Sequence, residues 1–406
     1  MFGLNKKSLV TDKEAIREAF DRRTGDIGRR LENDGVFPNV DEAIKILGSR
    51  RCIVYLGIDP TGPDIHLGHT IPILFLKQLW KLGHTPVLVI GDFTARIGDP
   101  TGKESARKPL TEKEVRDNMK NYLSQIYKIL PRGSFEVKYN SSWLAKMSFG
   151  DVIKLASNVT VQQMLQRDMF QKRLDSSQPI GLHEFLYPLM QGYDSVVMNI
   201  DGEVGGNDQT FNMLVGRDLE KKLVNKDKLV FATQLLVDAT TGKKMSKSEG
   251  GLISLSDTPG DMFGKTMAIP DGFIRGMFKL CTEKSMKWID EHDEDIKTQP
   301  YVYKKELAFE LVKMYYGENE AKKAQENFAK VFSEGKNPDE IREIDNEGDI
   351  VKTLAAAGGV TSNSEARRLI EQKAVRVNDV VVENWDHKLE SGDIIKVGPR
   401  KFLKIK

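Results

Sequence analysis

Two histidines three residues apart, in His66-Leu67-Gly68-His69, introduce an apolar run with helical spacing through Ile71, Ile73, Leu74, Phe75 and Leu76. Side chains at i and i+3 share a helical face, and Gly68 leaves the backbone between them bare. Ahead of them, Ile53-Val54-Tyr55 favours a strand that ends at Gly57, and Asp59-Pro60-Thr61-Gly62-Pro63-Asp64 is dense in turn formers. Asp64 is the expected N-cap of the helix. A strand, a tight loop and a helix start whose free N–H groups face the loop make a site for an anion. The chemistry expected is a phosphate beside a flat ring that lies against Gly68. A metal is the competing use of paired histidines. The pair lacks a third ligand, and His84, His183, His292 and His387 follow no zinc spacing, so no metal site is expected. A packed core pair is the blander alternative, and the adjoining turn-rich loop speaks against it.

A second cluster, Lys243-Lys244-Met245-Ser246-Lys247-Ser248, lies between Gly242 and Glu249-Gly250-Gly251. A lysine run alone is a solvated face or a weak polyanion patch. Set among glycines and serines it reads as a mobile loop able to close over a triphosphate. Donors of that kind stabilise charge shifting to pyrophosphate by about 3 kcal/mol each. A third cluster, Lys103 and Arg107 after Gly98-Asp99-Pro100-Thr101-Gly102, resembles a phosphate-binding turn without the strict Walker pattern. Ordinary surface charges are its alternative.

These clusters need a scaffold, and the sequence supplies one. Val87-Leu88-Val89-Ile90 is a continuous apolar run suited to a buried parallel strand. With the strand at Ile53 and the helix between, it forms a βαβ unit, hence an α/β fold with a parallel, Rossmann-like sheet and its site at the strands' C-terminal ends. Asp12 to Arg23 is an amphipathic helix candidate, and 111–130 and 150–175 are helical in period. Ser195 to Ile200 and Leu229 to Val237 read as strands, Gly205 to Gln209 as a turn, Asp238 to Gly251 as an exposed loop, and 256–333 as mostly helical. Beyond a linker at Ser333 to Pro338 the chain changes character. Ser364 to Ile370 is a capped basic helix, Ala374 to Val382 a hairpin with an Asn-Asp turn, and Ile394 to Val397 a strand. This small α+β tail carries eleven Lys/Arg against seven Asp/Glu from Val351 onward, within a chain of net charge +2. A polyanion partner therefore fits the tail. The 39% hydrophobic and 30% charged residues are ordinary for a soluble globular protein. Two unpaired cysteines, Cys52 and Cys281, suit a reducing compartment. No apolar run approaches a membrane span, and acidic residues near the N-terminus argue against a transit peptide. A cytoplasmic protein is expected.

The two signatures, His66 to His69 and Lys244 to Ser248, resemble those of class I aminoacyl-tRNA synthetases, in the same order. Tyr55, Asp99-Pro100, Tyr187, Gln191-Gly192-Tyr193-Asp194 and Gly205-Gly206-Asn207-Asp208-Gln209 resemble the amino-acid pocket of bacterial tyrosyl-tRNA synthetases. The tail resembles the S-four RNA-binding domain at the end of those enzymes. The resemblance covers nearly the whole chain. It implies a catalytic domain over 1–255 with a helical insertion at about 110–195, and a helical anticodon-arm domain over 256–335. A linker at 336–349 and the RNA-binding domain at 350–406 follow.

It further implies a tyrosine–tRNA ligase that uses ATP with Mg²⁺ and charges a tyrosine tRNA as a homodimer. Tyr55 and Asp194 then meet the substrate hydroxyl, Asp99, Tyr187 and Gln191 the ammonium, and Asn140 and Gln209 complete the pocket. Gly57, Asp59, Gly68, Gly206 and Asp208 belong to ATP. Thr61, His66, His69, Lys103, Arg107, Lys244, Lys247 and Ser248 belong to the catalytic machinery. Arg367, Arg368, Lys373 and Arg376 are the expected tRNA contacts. Tryptophan is the nearest rival substrate, but an indole offers one donor and needs no paired donor and acceptor. A catalytically inactive RNA-binding paralogue is the rival of another class, and intact signatures oppose it. One departure stands out. Glu203 occupies a position where many members carry glutamine, while Thr160-Val161, Met164-Leu165 and His183-Glu184-Phe185 resemble the family's other bacterial branch. A charge in the pocket lining would follow.

Overall fold

The structure, a computed structural model, describes residues 7–25, 32–100, 109–242, 245, 252–333, 341–358, 360, 362–398 and 401–406. The chain divides into two compact units, Met1–Ser256 with Ile269–Leu307, and Asp257–Ala268 with Ala308–Lys406. Among the described residues no helix is long and apolar enough to cross a membrane.

The first unit is built on a six-stranded sheet of β1 (Val36–Phe37), β2 (Ile53–Ile58), β3 (Thr85–Ile90), β4 (Glu136–Tyr139), β5 (Gly202–Gly206) and β6 (Leu229–Thr233). The order is β1-β6-β5-β2-β3-β4, parallel except for β1 against β6. The central strands are buried on both faces, which explains their unbroken apolar runs at Val87–Ile90 and Leu229–Ala232. The chain crosses from one half of the sheet to the other beside β2, the kind of point where such sheets bind ligands.

Four helices position the site: α1 (Lys13–Arg23), α2 (Leu67–Lys81), α3 (Leu186–Met198) and α4 (Thr210–Val224). Asp12 caps α1 through Glu14 N–H. At its other end Arg22 and Arg23 turn inward. Their guanidinium groups donate to the carbonyls of Lys279, Leu280 and Thr282, satisfying oxygens left open where helix Ile274–Cys281 ends.

Several expectations change. Ser195 to Ile200 is the end of α3, not a strand; Asn199 closes it in the left-handed region at φ 48°. The β-branched pair Val196-Val197 suggested extension, but α3 packs along α4, and tertiary contact overrides so weak a preference. The strand instead follows as Gly202–Gly206, whose glycines read as a turn. A Cβ at Gly202 would sit 3.0 Å from the Phe231 ring on β6, so glycine fits closely there. Asp64 does not cap α2. His66 is the N-cap residue, without a side-chain cap bond, and Asp64 accepts from the Ser256 hydroxyl at 2.6 Å. Leu67 N–H donates to the Ile253 carbonyl and His69 N–H to that of His66, so fewer helix-start donors face the loop than expected. Asp238, placed in an exposed loop, is buried and accepts from Thr240 and Thr241 N–H.

In the second unit, helices Pro259–Met267 and Glu318–Ser333 pack together, with Phe263 and Phe328 rings 5.3 Å apart. The tail forms its own five-stranded sheet over a core that includes Ile350, Leu354, Ile370, Val375 and Ile395. The expected hairpin is present, with Asn378 and Asp379 both at positive φ. The basic helix Asn363–Glu371 is capped by Ser362.

Candidate active site

At the C-terminal ends of β2, β3 and β5 lies a cavity of about 400 Å³. The expected residues converge on it: Gly57, Asp59, Thr61, His66, Gly68, His69, Asp99, Asn140, Tyr187, Gln191, Asp194, Gly206, Asp208 and Gln209 all line it. Lys103 and Arg107 lie outside the described residues, as do Lys244, Lys247 and Ser248. Met245 is described; its N–H donates to the Leu236 carbonyl and it lines the cavity.

The imidazoles of His66 and His69 stack, with centroids 3.6 Å apart. Burial and the neighbouring His66 hold His69 down at about 3, so its ring is neutral at physiological pH. Its buried Nδ1 has no hydrogen-bond partner among the described residues. A neutral ring with an open nitrogen can donate to a phosphate oxygen without carrying a charge of its own.

Asp59 is fixed by two hydroxyls. Thr94 donates to Oδ1 at 2.7 Å and Tyr187 to Oδ2 at 2.8 Å. A Cβ at Gly91 would come within 1.9 Å of Asp59 Oδ1, so a side chain there would have to displace the Asp59 carboxylate. Asp194 on α3 is 3% exposed. Its Oδ1 accepts from Trp143 Nε1 at 2.8 Å and its Oδ2 from Asn140 Nδ2 at 3.3 Å. Burial pushes this carboxyl well above the usual carboxylate range, and the two donors oppose the shift. Asn140 is oriented in turn by Phe93 N–H at its Oδ1. Gln209 Nε2 donates to Asp99 Oδ2 at 2.6 Å, and Asn212 Nδ2 donates to both Gln209 Oε1 and Gln191 Oε1.

Tyr55 is fully buried one layer behind the lining, its hydroxyl 3.2 Å from Ser195 Oγ and 3.3 Å from the Gln191 carbonyl. Burial, with Glu203 and Asp194 nearby, raises its phenol well above the ordinary value. Glu203 also stays out of the lining, and its carboxylate is paired with Lys228. The charge expected in the pocket wall is therefore neutralised behind it.

Sequence reasoning missed Thr94, Trp143, Asn212 and Lys228. Thr94 lies just beyond the C-terminal end of β3 and Trp143 just beyond that of β4, where α/β sheets carry their ligand groups, and that signal could have found both. Nothing local to Lys228, a lysine just ahead of a strand, marks it as buried.

A parallel sheet with this cavity and histidine pair at its strand ends is the arrangement of a nucleotide-binding α/β enzyme. The sequence model of the family described as tRNA synthetases class I (W and Y) matches residues 48–333, and that of the S4 domain matches 350–395. The chain belongs to that class I tRNA synthetase family. Its relatives include the tyrosine–tRNA ligase of Carboxydothermus hydrogenoformans, 45% identical over 87% of this chain and 89% of that protein. Another is the tyrosine–tRNA ligase of Thermotoga maritima, 44% identical over 90% and 92%. Among solved structures, a C-terminally truncated mitochondrial tyrosyl-tRNA synthetase of Aspergillus nidulans superposes with TM-score 0.66 at 22% identity. The match covers 78% of this chain and 94% of that one. The tyrosyl-tRNA synthetase of Archaeoglobus fulgidus, complexed with L-tyrosine, gives TM-score 0.57 at 21% identity, covering 77% and 100%. These two carry the fold alone.

Proposed function

We propose that the chain is a tyrosine–tRNA ligase: it joins L-tyrosine to ATP as tyrosyl-adenylate, releasing pyrophosphate, and passes tyrosine to the terminal adenosine of its tRNA. The observation that carries the reading is Asp194, a buried carboxylate held by Trp143 and Asn140 at the wall of a cavity that also holds the histidine pair. A phenol hydroxyl is the substrate group that such an acceptor suits. An indole N–H is a donor only, while a phenol hydroxyl can both donate to Asp194 and accept.

Asp99, Tyr187 and Gln191 receive the tyrosine ammonium, and Gln209 steadies Asp99. Gly57, Asp59, Gly68, Gly206 and Asp208 border the nucleotide, with Thr61, His66 and His69 at its phosphates. The tyrosine carboxylate attacks the α-phosphorus, the bond to the bridging oxygen breaks, and pyrophosphate leaves. Lys103, Arg107, Lys244 and Lys247, with Ser248 beside them, are assigned to the departing charge. Positioning and charge stabilisation carry the rate, with no covalent enzyme intermediate. Among the described residues no His/Cys/Asp/Glu cluster fits a resident metal, so Mg²⁺ is assigned to the ATP phosphates as their counter-ion.

Arg367, Arg368, Lys373 and Arg376 are all exposed, and Arg367 lies 5.4 Å over the half-exposed Trp385 ring. A cation beside an aromatic face suits phosphate and base contact, which supports tRNA binding by the tail. A homodimer is supported by Phe149, Ile153, Val161 and Leu182, large apolar side chains left 53–80% exposed on neighbouring segments. We place the enzyme in the cytoplasm, where buried free thiols such as Cys52 and Cys281 stay reduced. The test is ATP–pyrophosphate exchange with tyrosine, tryptophan and phenylalanine supplied separately. Exchange supported by tyrosine is the expected result, and exchange supported by tryptophan in its place would overturn the substrate.

A further inference from the structure

Behind the cavity wall lies a charged group that the proposed reaction does not use. Lys228 and Glu203 are 0% and 2% exposed at their side chains and form an ion pair. Lys228 Nζ also donates to Ser195 Oγ at 2.6 Å and stands 5.8 Å from the Tyr55 ring centre. Glu203 Oε1 accepts from Gln191 Nε2 at 2.9 Å.

The pair therefore reaches the lining along two branches. Through Ser195 it touches the Tyr55 hydroxyl. Through Glu203 it decides which way the Gln191 amide faces. With its nitrogen on Glu203, that amide turns its oxygen to Asn212, which also holds Gln209, which holds Asp99. Space for the ammonium is built into the helix pair. A Cβ on Gly216 of α4 would sit 2.7 Å from Lys228 Nζ and 3.1 Å from Gly192 Cα on α3. The two helices thus meet backbone to backbone and leave a slot that the ammonium fills. A buried ion pair is a poor source of net stability compared with apolar packing, so its presence calls for another role.

We propose that Glu203 and Lys228 are positioning residues for the amino-acid pocket. They hold Gln191 in one amide orientation and Tyr55 with its hydroxyl directed between Ser195 and Gln191. The inference rests on the tyrosine reading and adds to it the device that sets tyrosine affinity. It also accounts for glutamic acid at position 203. The carboxylate is accommodated because Lys228 neutralises it; without the lysine its charge would face Tyr55 and Gln191.

The test is tyrosine-dependent pyrophosphate exchange by the full chain, with rates normalised to active sites by adenylate burst titration. Lys228→Met keeps length and volume and removes the ammonium. We expect its KM for tyrosine to rise at least tenfold with the KM for ATP within twofold, and the tyrosine-over-phenylalanine ratio to fall at least fivefold. Adding Glu203→Gln in the Lys228→Met background should recover most of the loss, since glutamine still accepts from Gln191 without a lone buried charge. Ser195→Ala, a small change expected to fold, should raise the tyrosine KM several-fold with ATP unaffected. The inference is overturned if Lys228→Met and Ser195→Ala leave the tyrosine constants within twofold. It is equally overturned if normalised constants for ATP and tyrosine fall together, or if the double variant is worse than the single. A wild-type chain that ignores tyrosine would remove the functional reading itself, and this inference with it.

Discussion

Replacing Asp194 with asparagine keeps the shape of the pocket and changes one property, the capacity to accept. The carboxylate has two oxygens, each already receiving one donor, from Trp143 at 2.8 Å and Asn140 at 3.3 Å. An asparagine oxygen can serve one of them, and its amide nitrogen then confronts the other. The acceptor for a substrate hydroxyl is lost. Leaving the buried substrate hydroxyl without its acceptor costs about 1–3 kcal/mol, so kcat/KM for tyrosine should fall by about fivefold to 150-fold. Phenylalanine has no hydroxyl to lose, and its kcat/KM should move by less than about threefold. The assay is pyrophosphate exchange with each amino acid across a concentration range. Equal losses for tyrosine and phenylalanine would assign Asp194 a purely structural role and refute the reasoning. An unchanged tyrosine constant would refute it more directly.

Gly91→Ala should drive a Cβ into Asp59 Oδ1, breaking its bonds to Thr94 and Tyr187. A stability loss of about 1–3 kcal/mol and a raised KM for ATP are expected, read by urea unfolding and exchange. Glu220 is fully buried with no hydrogen-bond partner at either oxygen among the described residues, and burial, opposed by Lys228 and Lys226, raises its carboxyl to about 7. Between about 4.5 and 7 the folded state holds a proton the unfolded chain has released, so this group lowers stability as pH rises through that window. Glu220→Gln should match wild type below pH 4.5 and exceed it by about 3 kcal/mol above pH 7, in urea melts at both ends. His84, held down at about 4 chiefly by burial, acts in the opposite sense: its contribution is full above about 6.5 and is lost as pH falls towards 4. Replacing Arg367, Arg368, Lys373 and Arg376 together by alanine should leave exchange unchanged, raise the KM for tRNA, and flatten the salt dependence of aminoacylation.

The site's parts were legible because each sits where chain geometry is local. His66 to His69 begins a helix, Gly57 to Asp64 ends a strand, and Gly206 to Gln209 opens another helix, so type and spacing pointed to the same chemistry. The parallel sheet followed from buried apolar runs at Val87 and Leu229. What escaped depends on distant partners. Ser195 to Met198 is helical because α4 covers it, and no local preference says so. Asp64 is drawn from its expected cap by Ser256, 192 residues along. Glu203 looked like a charge in the pocket, but Lys228, just ahead of the adjacent strand β6, fills the slot between Gly192 and Gly216 and neutralises it. Tyr55 read as a strand former and as a substrate contact, and its hydroxyl sits behind the wall, on Ser195.

The central claim is that the histidine pair and Asp194 serve one cavity, the first for ATP and the second for tyrosine. The most direct measurement is ATP–pyrophosphate exchange by the purified full chain, with tyrosine, tryptophan and phenylalanine in parallel. The account predicts saturable exchange with tyrosine and little with the other two. Exchange that tryptophan supports and tyrosine does not would contradict it.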